Sequence, residues 1–379
     1  METVKLGLLI KKTKVARCGE HSYPVLSITK QDGIIMQSEK FKKRIASADT
    51  SDYKIIPRGK LVQGIHIDEG NFGIQDIVDN GIVSPAYGVW DVNDGLVIPK
   101  YLEMVLRSPK SIEFYRSKLT GTVNRRGHMS DADFLSMDIP LPDRDTQSKI
   151  LKTMKQTTSV LYSRQQQLAK LDELIKARFV EMFGDKNYHY ESLINLILDG
   201  TSLSYGIVQP GNDGTGDMGV LRPVDIVDGK LTMSSIKYID RSIGEGFKKT
   251  ELDGDELLIT VRGTTGITAL TDGRFAGMNV TRGIAVIRYN RKKINPLYLN
   301  AYFNTDESQR YIQEHTRGAT LQQINLSDLR IQRIMLPPLS LQNQFAAFVA
   351  EVDKSKVEVQ KALDQTQLLF DSLMQQYFG

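Results

Sequence analysis

The sequence predicts an α+β fold in which two similar globular domains are separated and followed by long helices that form an antiparallel coiled coil. Three observations lead to this prediction. The second half of the chain repeats the first, each copy places strands before a pair of short helices, and each copy ends in a helix with a seven-residue apolar period. The predicted domains are residues 1–141 and 186–338, and the predicted helical segments are residues 142–185 and 339–379.

The internal repeat has an offset of 197 residues, and its alignment needs no gap between Tyr101 and Gln147. The matched positions are Tyr101-Leu102 with Tyr298-Leu299, Gly121 with Gly318, Ser130-Asp131 with Ser327-Asp328, Pro140 with Pro337 and Gln147 with Gln344. Outside these positions the two copies have diverged. A chain built from two diverged modules is expected to bind a ligand with two similar but non-identical parts.

The first domain is predicted to run from strands to a pair of short helices. Its strands are bounded by turn signals rich in Gly, Pro and Asp. Ser108 followed by Pro109 is typical of a helix N-terminus, and Gly121 is typical of the residue that ends a helix. The predicted strands are 25–28, 61–65 and 81–90, and the predicted helices are 100–107 and 110–119.

The second domain follows the same order. Asp228-Gly229 indicates a hairpin turn, and the turn at 253–256 precedes an apolar strand. Either Asn304 or Thr305 is expected to cap the second helix of the pair, and Gly318 to close it. The predicted strands are 219–222, 257–261 and 283–289, and the predicted helices are 296–303 and 306–315.

Both long helices carry heptad repeats. The positions seven residues apart are Met154, Leu161, Leu168, Ile175 and Met182 in the first helix, and Phe345, Val352, Val359, Thr366 and Leu373 in the second. Such a period favours left-handed coiled-coil packing, so the two helices are expected to pair with each other. Residues 147–183 alone correspond to about 55 Å of helix. The alternative is that each helix packs back on its own domain.

Composition sets limits on the class of protein. The hydrophobic fraction of 40% is enough for two cores, and the single cysteine, Cys18, excludes an intramolecular disulfide and a multi-cysteine zinc site. The five histidines lack metal-ligand spacing. No bilayer-spanning apolar run or signal peptide is evident, so we expect a cytoplasmic protein without a membrane partner. The net charge of +4 is mild, so a nucleic-acid ligand requires basic residues gathered on one face.

Enzymatic signatures are missing from the sequence, and we predict no catalytic residue, metal or cofactor. The segment Asn295-Pro296-Leu297-Tyr298 resembles the catalytic tetrad of amino-methyltransferases. It lies where a helix begins, however, and no Gly-rich cofactor loop precedes it, so a helix cap with proline in the first turn explains it better. A Walker loop, an HExxH motif and a paired-carboxylate nuclease signature are also missing.

The doubled arrangement resembles the specificity subunits of type I restriction-modification systems. Three motifs carry the resemblance: the exit segment 135–142 with its counterpart 329–339, the helix end 168–179 followed by Met182-Phe183-Gly184, and the phrase Tyr205–Gly211. The first domain lacks a clear counterpart of that phrase, and its exit segment reads Asp143-Arg144-Asp145 where a more regular copy is expected.

The resemblance implies a DNA sequence-specificity subunit that is non-catalytic by itself. In that family each globular unit is a target recognition domain that reads one half of a split DNA sequence, and the helices set the spacing and dock methyltransferase subunits. The implied partners are double-stranded DNA and two methyltransferase subunits, with restriction subunits as further candidates. Divergence of the repeats predicts an asymmetric target, with half-sites about 34 Å apart.

Loops that supply basic and amide side chains form the predicted DNA interface, since Arg and Lys read guanine and Asn and Gln read adenine. The candidates are Asn124, Arg125, Arg126 and His128 in one loop, Arg317, Gln322 and Gln323 in its counterpart, Arg262, Thr264 and Thr265 in a turn, Asn279 and Arg282 before a strand, and Lys60, Ser84, Tyr205 and Gln209. Each has a structural alternative: a solvated helix-exit loop, a plain turn, or, for Tyr205, a place in the core.

Partner docking is predicted on the helices. The candidates are Leu161, Leu168, Ile175, Val352, Val359 and Leu363. A hypothesis from another functional class is a non-enzymatic coiled-coil scaffold whose globular ends bind proteins. A third possibility, the recognition fragment of a solitary methyltransferase, is disfavoured because the helices are doubled.

Overall fold

The structure, a computed structural model, describes residues 2–30, 32–40, 49–119, 129–184, 186–211, 214, 216–319 and 321–379. The chain divides into two compact units. The first unit comprises Met1–Gln165 and Lys361–Gly379, and the second comprises Gln166–Gln360. Each long helix therefore contributes one part to each unit.

The first unit begins with strands and ends with short helices and a long one, as predicted. Its elements are β1 (Thr3–Lys5), α1 (Leu6–Leu9), β2 (Ile10–Lys12), β3 (Leu26–Thr29), β4 (Gly33–Met36), α2 (Gln37–Lys40), β5 (Lys54–Pro57), β6 (Leu61–Gln63), β7 (Phe72–Ile74), β8 (Asn80–Val83), β9 (Gly88–Val92), α3 (Pro99–Leu106), α4 (Pro109–Lys118), α5 (Asp131–Leu135), β10 (Asp138–Pro140) and the first part of α6 (Arg144–Phe183). A four-stranded sheet has the order β2-β9-β6-β7, and β1 pairs with β10. Ser108 caps α4 as predicted, because its hydroxyl accepts a hydrogen bond from the Ser111 N–H.

Aromatic side chains fill the core of the first unit. Phe72 stacks on Phe134 with ring centroids 5.5 Å apart, and Trp90 lies 5.4 Å from Phe134. Tyr115 is fully buried beside them, and its hydroxyl donates a hydrogen bond of 2.9 Å to the Leu106 carbonyl oxygen. This carbonyl belongs to the last turn of α3, where no helical N–H follows to bond it. Tyr115 therefore fastens α4 to the end of α3.

Replacing Tyr115 with Phe is expected to lower the free energy of unfolding of the first unit by about 1–3 kcal/mol, because the Leu106 carbonyl would be left buried and unpaired. Burial also raises the pKa of the Tyr115 hydroxyl well above its usual 10. The unfolded chain therefore loses this proton first, and the stabilisation present below pH 10 declines as the pH rises above 10.

Denaturant unfolding followed by the fluorescence of Trp90, the single tryptophan, reports on this core. The stability difference between wild type and Tyr115→Phe should shrink at high pH. The control is Tyr162→Phe, because the Tyr162 side chain is 63% exposed. This change should alter neither the free energy of unfolding nor its dependence on pH. A difference that stays constant up to the highest pH would contradict the assigned hydrogen bond.

The second unit follows the predicted order of strands and helices. Its elements are β11 (His189–Ser192), β12 (Ser204–Tyr205), β13 (Met218–Leu221), β14 (Ile226–Val227), β15 (Lys230–Leu231), β16 (Lys237–Ile239), α7 (Arg241–Gly244), β17 (Leu257–Thr260), β18 (Thr268–Leu270), β19 (Asn279–Val280), β20 (Ile284–Ile287), α8 (Pro296–Phe303), α9 (Asp306–His315), β21 (Thr316–Arg317), β22 (Gln323–Ile324), α10 (Leu326–Ile331), β23 (Arg333–Leu336) and the first part of α11 (Leu339–Phe378). Its four-stranded sheet has the order β12-β20-β17-β18, which corresponds to that of the first unit. Thr305 is the cap of α9, since its hydroxyl accepts from the Ser308 N–H.

The two long-helix segments of the second unit contact each other in opposite chain directions. Phe179 lies edge-on to Phe345 with ring centroids 5.4 Å apart, and about two turns earlier in α6 Asp172 pairs with Lys356 at 2.5 Å. Residues later in α6 therefore contact residues earlier in α11. Tyr298 from α8 packs on Phe179 at 5.6 Å, so the same segments also complete the globular core.

The ungapped register of the repeat is wrong beyond residue 119. Tyr101 and Tyr298 donate to the carbonyl oxygens of Pro140 and Met335, which are 195 residues apart. Ser130 caps α5, and the residue at the start of α10 is Asn325, again 195 residues on. The first copy is therefore two residues longer between α4 and α5, and Gly121 falls in the stretch 120–128, outside the described residues.

Candidate nucleic-acid interface

An open groove of about 690 Å³ lies on the second unit, between the segment 203–208, the end of β17 and the start of α10. Four of the predicted DNA-contacting residues line it together: Tyr205, Arg262, Arg282 and Gln323. They come from four separate places in the sequence. The groove is the place where the fold concentrates the predicted interface.

The charge of the groove distinguishes it from a second large cleft of this unit. Among the described residues that line the groove there are three arginines (Arg262, Arg282 and Arg330) and no Asp or Glu. The second cleft, of about 820 Å³, is lined by five Asp and four Lys or Arg residues. A polyanion is attracted by an unbalanced cationic surface and gains little from a balanced one. The groove, and not the cleft, suits a phosphate backbone.

Three polar side chains form a row across paired strands, and two of them, Arg262 and Gln323, line the groove. Arg262 and Gln323 are antiparallel bridge partners, held by the flanking bonds Gly263 N–H to Gln322 O (2.9 Å) and Ile324 N–H to Val261 O (3.0 Å). In this pairing the side chains of the bridged residues lie closest together, on one face. Gln323 is also paired with Arg317 in the β21–β22 ladder. The order across the strands is therefore Arg262, Gln323, Arg317, with an amide between two cations.

The opposite wall carries Tyr205, which is 51% exposed rather than in the core. Its segment is fastened to the strand that leads to Arg282, because Ile207 N–H donates to Val280 O (2.8 Å) and Arg282 N–H donates to Ile207 O (2.9 Å). A side chain at Gly206 would lie 1.8 Å from the Val280 carbonyl oxygen. Glycine is therefore required here for the close approach of the two backbones.

Arg330 was missed by the sequence reasoning. It lies on α10 within the exit segment, and its Nη2 donates to the Leu203 carbonyl oxygen at 2.9 Å. It thereby holds the start of the Tyr205 segment while lining the groove. The sequence offered no local signal, since an Arg in a short amphipathic helix is typical of a solvated face.

The other predicted residues of this unit divide into accessible and inaccessible ones. Gln209, Thr264, Arg317 and Gln322 are exposed, and Thr265 is half-buried with its hydroxyl 3.0 Å from that of Thr316. Asn279 is a correction. It is 1% exposed, its Oδ1 accepts from the Thr250 hydroxyl at 2.8 Å, and its Nδ2 donates to the Phe247 carbonyl at 3.1 Å. Its amide is used inside the core and is not available to DNA.

The predicted residues of the first unit are less concentrated. Lys60 pairs with Asp91, and the Ser84 hydroxyl accepts from the Ala86 N–H at 3.3 Å. The basic loop residues Asn124, Arg125, Arg126 and His128 lie outside the described residues.

A cationic cluster on the first unit was not anticipated from the sequence. Arg17 and Lys54 are antiparallel bridge partners, and Lys12 lies over the Trp90 ring with Nζ 5.5 Å from its centroid. Burial, and then the positive charges of Lys12 and Arg17, lower the pKa of Lys54. Lys12 also pairs with Asp131, and Arg17 with Asp52. These cations are 42 residues apart at their extremes, so only the fold shows that they are neighbours.

The predicted docking residues lie on the heptad face of the helices. Val352 is 6% exposed, and Leu161, Leu168, Ile175, Val359 and Leu363 are half-buried. Other apolar side chains on the same helices are more accessible: Tyr162 (63%), Val180 (65%), Leu368 (70%) and Leu369 (53%). These residues lie outside the heptad positions from which the docking candidates were predicted.

Within the described ranges no three His, Cys, Asp or Glu side chains are grouped so that they could hold a metal ion. No helix in the described part of the chain is long and apolar enough to cross a bilayer.

Comparison with known proteins gives a consistent result. Residues 215–366 match the type I restriction modification DNA specificity domain. The chain is 25% identical over 190 residues to the type I restriction enzyme EcoBI specificity subunit of Escherichia coli, a match that covers 49% of this chain and 40% of that subunit. It is 22% identical over 387 residues to the putative MjaX specificity subunit of Methanocaldococcus jannaschii, which covers 96% of this chain and 88% of that protein.

Solved structures share the fold. A chain from a study of complex assembly and conformational transition of the type I R-M system has a TM-score of 0.61 at 16% identity, covering 100% of this chain and 97% of that one. The S subunit of a type I restriction-modification system from M. genitalium has a TM-score of 0.54 at 12% identity, covering 100% and 96%. The matched domain and the curated relatives make the chain similar to the specificity subunits of type I restriction-modification systems, and the solved structures show that it shares their fold.

Proposed function

We propose that this chain is the DNA sequence-specificity subunit of a type I restriction-modification complex, in which each globular domain reads one half of a bipartite, asymmetric target. The observation that carries the proposal is the groove of the second unit, which unites Tyr205, Arg262, Arg282 and Gln323 with a third arginine and no carboxylate among its described lining residues.

The groove provides both kinds of contact that a specific DNA complex needs. Arginines bind phosphates as charged donors, or read guanine through O6 and N7 in a bidentate fashion, and a glutamine amide can read adenine. The row Arg262, Gln323, Arg317 presents these groups on one face of paired strands, which fixes their spacing. Tyr205 adds an exposed aromatic surface on the opposite wall. Base readout is assigned to the row and backbone contact to Arg282 and Arg330.

The organisation along the chain belongs to the same proposal. Target recognition domains at 1–141 and 186–338 are followed by spacer helices at 142–185 and 339–379, and the helices pair as an antiparallel coiled coil. Corresponding sheet orders in the two units support descent from a repeated module. The coil sets the half-site spacing and docks two methyltransferase subunits, which carry the chemistry, with restriction subunits as further partners. The chain itself acts without a cofactor, in the cytoplasm.

Selection from a randomised duplex library tests the proposal directly. The purified chain with its methyltransferase subunits should enrich two short, different sequence elements at one fixed separation. Recovery of unenriched DNA by a folded, assembled complex would contradict the proposal and favour the scaffold hypothesis, in which the globular ends bind proteins.

A further inference from the structure

A buried glutamine joins the first long helix to its globular unit. Gln147 is fully buried near the start of α6. Its Oε1 accepts from the Ile98 N–H at 2.8 Å, and its Nε2 donates to the Pro142 carbonyl oxygen at 2.8 Å and to that of Leu96 at 3.4 Å. One amide therefore connects the long helix, the loop before α3 and the segment that leaves β10.

The second unit contains the same connection. Gln342 is fully buried near the start of α11. Its Oε1 accepts from the Asn295 N–H at 2.8 Å, and its Nε2 donates to the Pro337 carbonyl oxygen at 2.8 Å. The partners have the same places in the fold: the residue before the first helix of the pair, and the proline five residues before the glutamine. The ungapped alignment of the repeat pairs Gln147 with Gln344, which is exposed, and therefore conceals this equivalence.

Core packing alone does not require an amide at these two positions. The neighbouring buried residues of the long helices are apolar, such as Ile150 and Phe345. The amide instead satisfies one N–H and one C=O at the point where the chain changes from globular unit to helix. Such bonds are directional, whereas apolar contacts tolerate sliding and rotation. The glutamines therefore fix the direction in which each helix leaves its own unit.

We propose that Gln147 and Gln342 are positioning residues that fix the exit direction of the spacer helices and thereby the single spacer length that the subunit accepts between half-sites. This inference rests on the proposed function. Adding one base pair to the spacer moves a half-site by about 3.4 Å and rotates it by about 35°. A complex that rejects such a change must hold each recognition domain rigidly on its helix.

The experiment is methylome sequencing of the source strain in which the gene is deleted and then complemented with wild type, Gln147→Met, Gln342→Met or the control Gln75→Met. Methionine keeps the length of the side chain and removes the amide. Gln75 is a matched control, because it is also fully buried and bonds Ile56 O (3.1 Å), Val78 O (2.7 Å) and Ile77 N (2.9 Å), but it lies wholly within the globular unit.

Gln147→Met and Gln342→Met should each methylate the same half-sites with spacers one base pair longer or shorter, on the order of tenfold more often than wild type. The Gln75→Met strain should keep the native spacer. The inference would be overturned if the control also accepted altered spacer lengths, or if both Gln147→Met and Gln342→Met kept the native spacer length. If wild-type complementation restores no motif, the proposed function fails instead.

If Gln147→Met or Gln342→Met methylates no site, hydrogen exchange is measured on the purified complex that contains that variant. The positioning role is supported if backbone amides lose protection from exchange only at residues 96–98 and in the first turns of α6, or at their counterparts beside Gln342. Lost protection throughout the four-stranded sheet shows a general folding role and contradicts it.

Discussion

Removing Arg262 and Arg282 together should weaken binding of the selected target duplex by at least about 1–3 kcal/mol, the contribution of one arginine that reads a guanine in a bidentate fashion. Both guanidinium groups line a groove without a carboxylate among its described residues, so their loss is not offset by the release of an acidic partner. For each arginine that contacts phosphate, the slope of log K against log salt should also fall by about one. Binding isotherms of Arg262→Ala/Arg282→Ala at several salt concentrations give both quantities.

Arg274→Ala provides the matched control. Arg274 is 67% exposed and belongs to the same unit, but it lines the mixed-charge cleft and pairs with Asp272 at 2.7 Å. Arg274→Ala removes one positive charge, as does each of the single variants Arg262→Ala and Arg282→Ala, but it should leave the affinity and the salt slope nearly unchanged. Equal losses for Arg274 and for Arg262 would show that the response follows net charge and would contradict the assignment of the groove.

Phe345→Ala should lower the free energy of unfolding of the second unit by about 3–5 kcal/mol, the usual cost of deleting a buried phenylalanine side chain. Phe345 is fully buried and contacts Phe179, Phe183 and Tyr298, with ring centroids 5.4, 5.7 and 6.5 Å away. The cavity left by this change would remove packing contacts between the α11 segment and both α6 and α8. Denaturant unfolding of the purified chain measures the effect, and a loss under about 1 kcal/mol would contradict the packing.

Leu368→Ser tests docking on the same helix without disturbing the core. Leu368 is 70% exposed, so its replacement should leave the unfolding transition unchanged. We expect weaker assembly with methyltransferase subunits, measured by analytical ultracentrifugation of the mixture. The heptad candidates give a contrasting test: Leu168→Asp or Ile175→Asp should weaken assembly while the globular units stay folded. Assembly that survives all three changes would exclude the helices as the docking surface.

The helices were the part of the fold most readable from the sequence. The bounds predicted for the second helix pair, 296–303 and 306–315, are those of the structure, because Asn295 and Thr305 both cap helices through their side chains. The heptad positions of the long helices are buried or half-buried in the structure, and this includes the polar Thr366. Local signals of this kind need no knowledge of distant residues.

The groove was only partly predictable. Arg262 and Gln323 were each chosen as single-loop candidates, but their pairing depends on a strand register that one sequence does not specify. Asn279 has the composition of a DNA-reading residue, and only the positions of Thr250 and Phe247 show that its amide is satisfied internally. The equivalence of Gln147 and Gln342 was hidden by a two-residue length difference between α4 and α5.

The central claim is that the chain selects a bipartite DNA sequence for modification. Methylome sequencing of the source strain with the gene intact, deleted and restored tests it most directly. We predict that deletion removes one methylated motif made of two different half-sites at a fixed separation, and that restoration returns it. A methylated motif in the intact strain that persists unchanged after deletion, with no other motif lost, would contradict the claim.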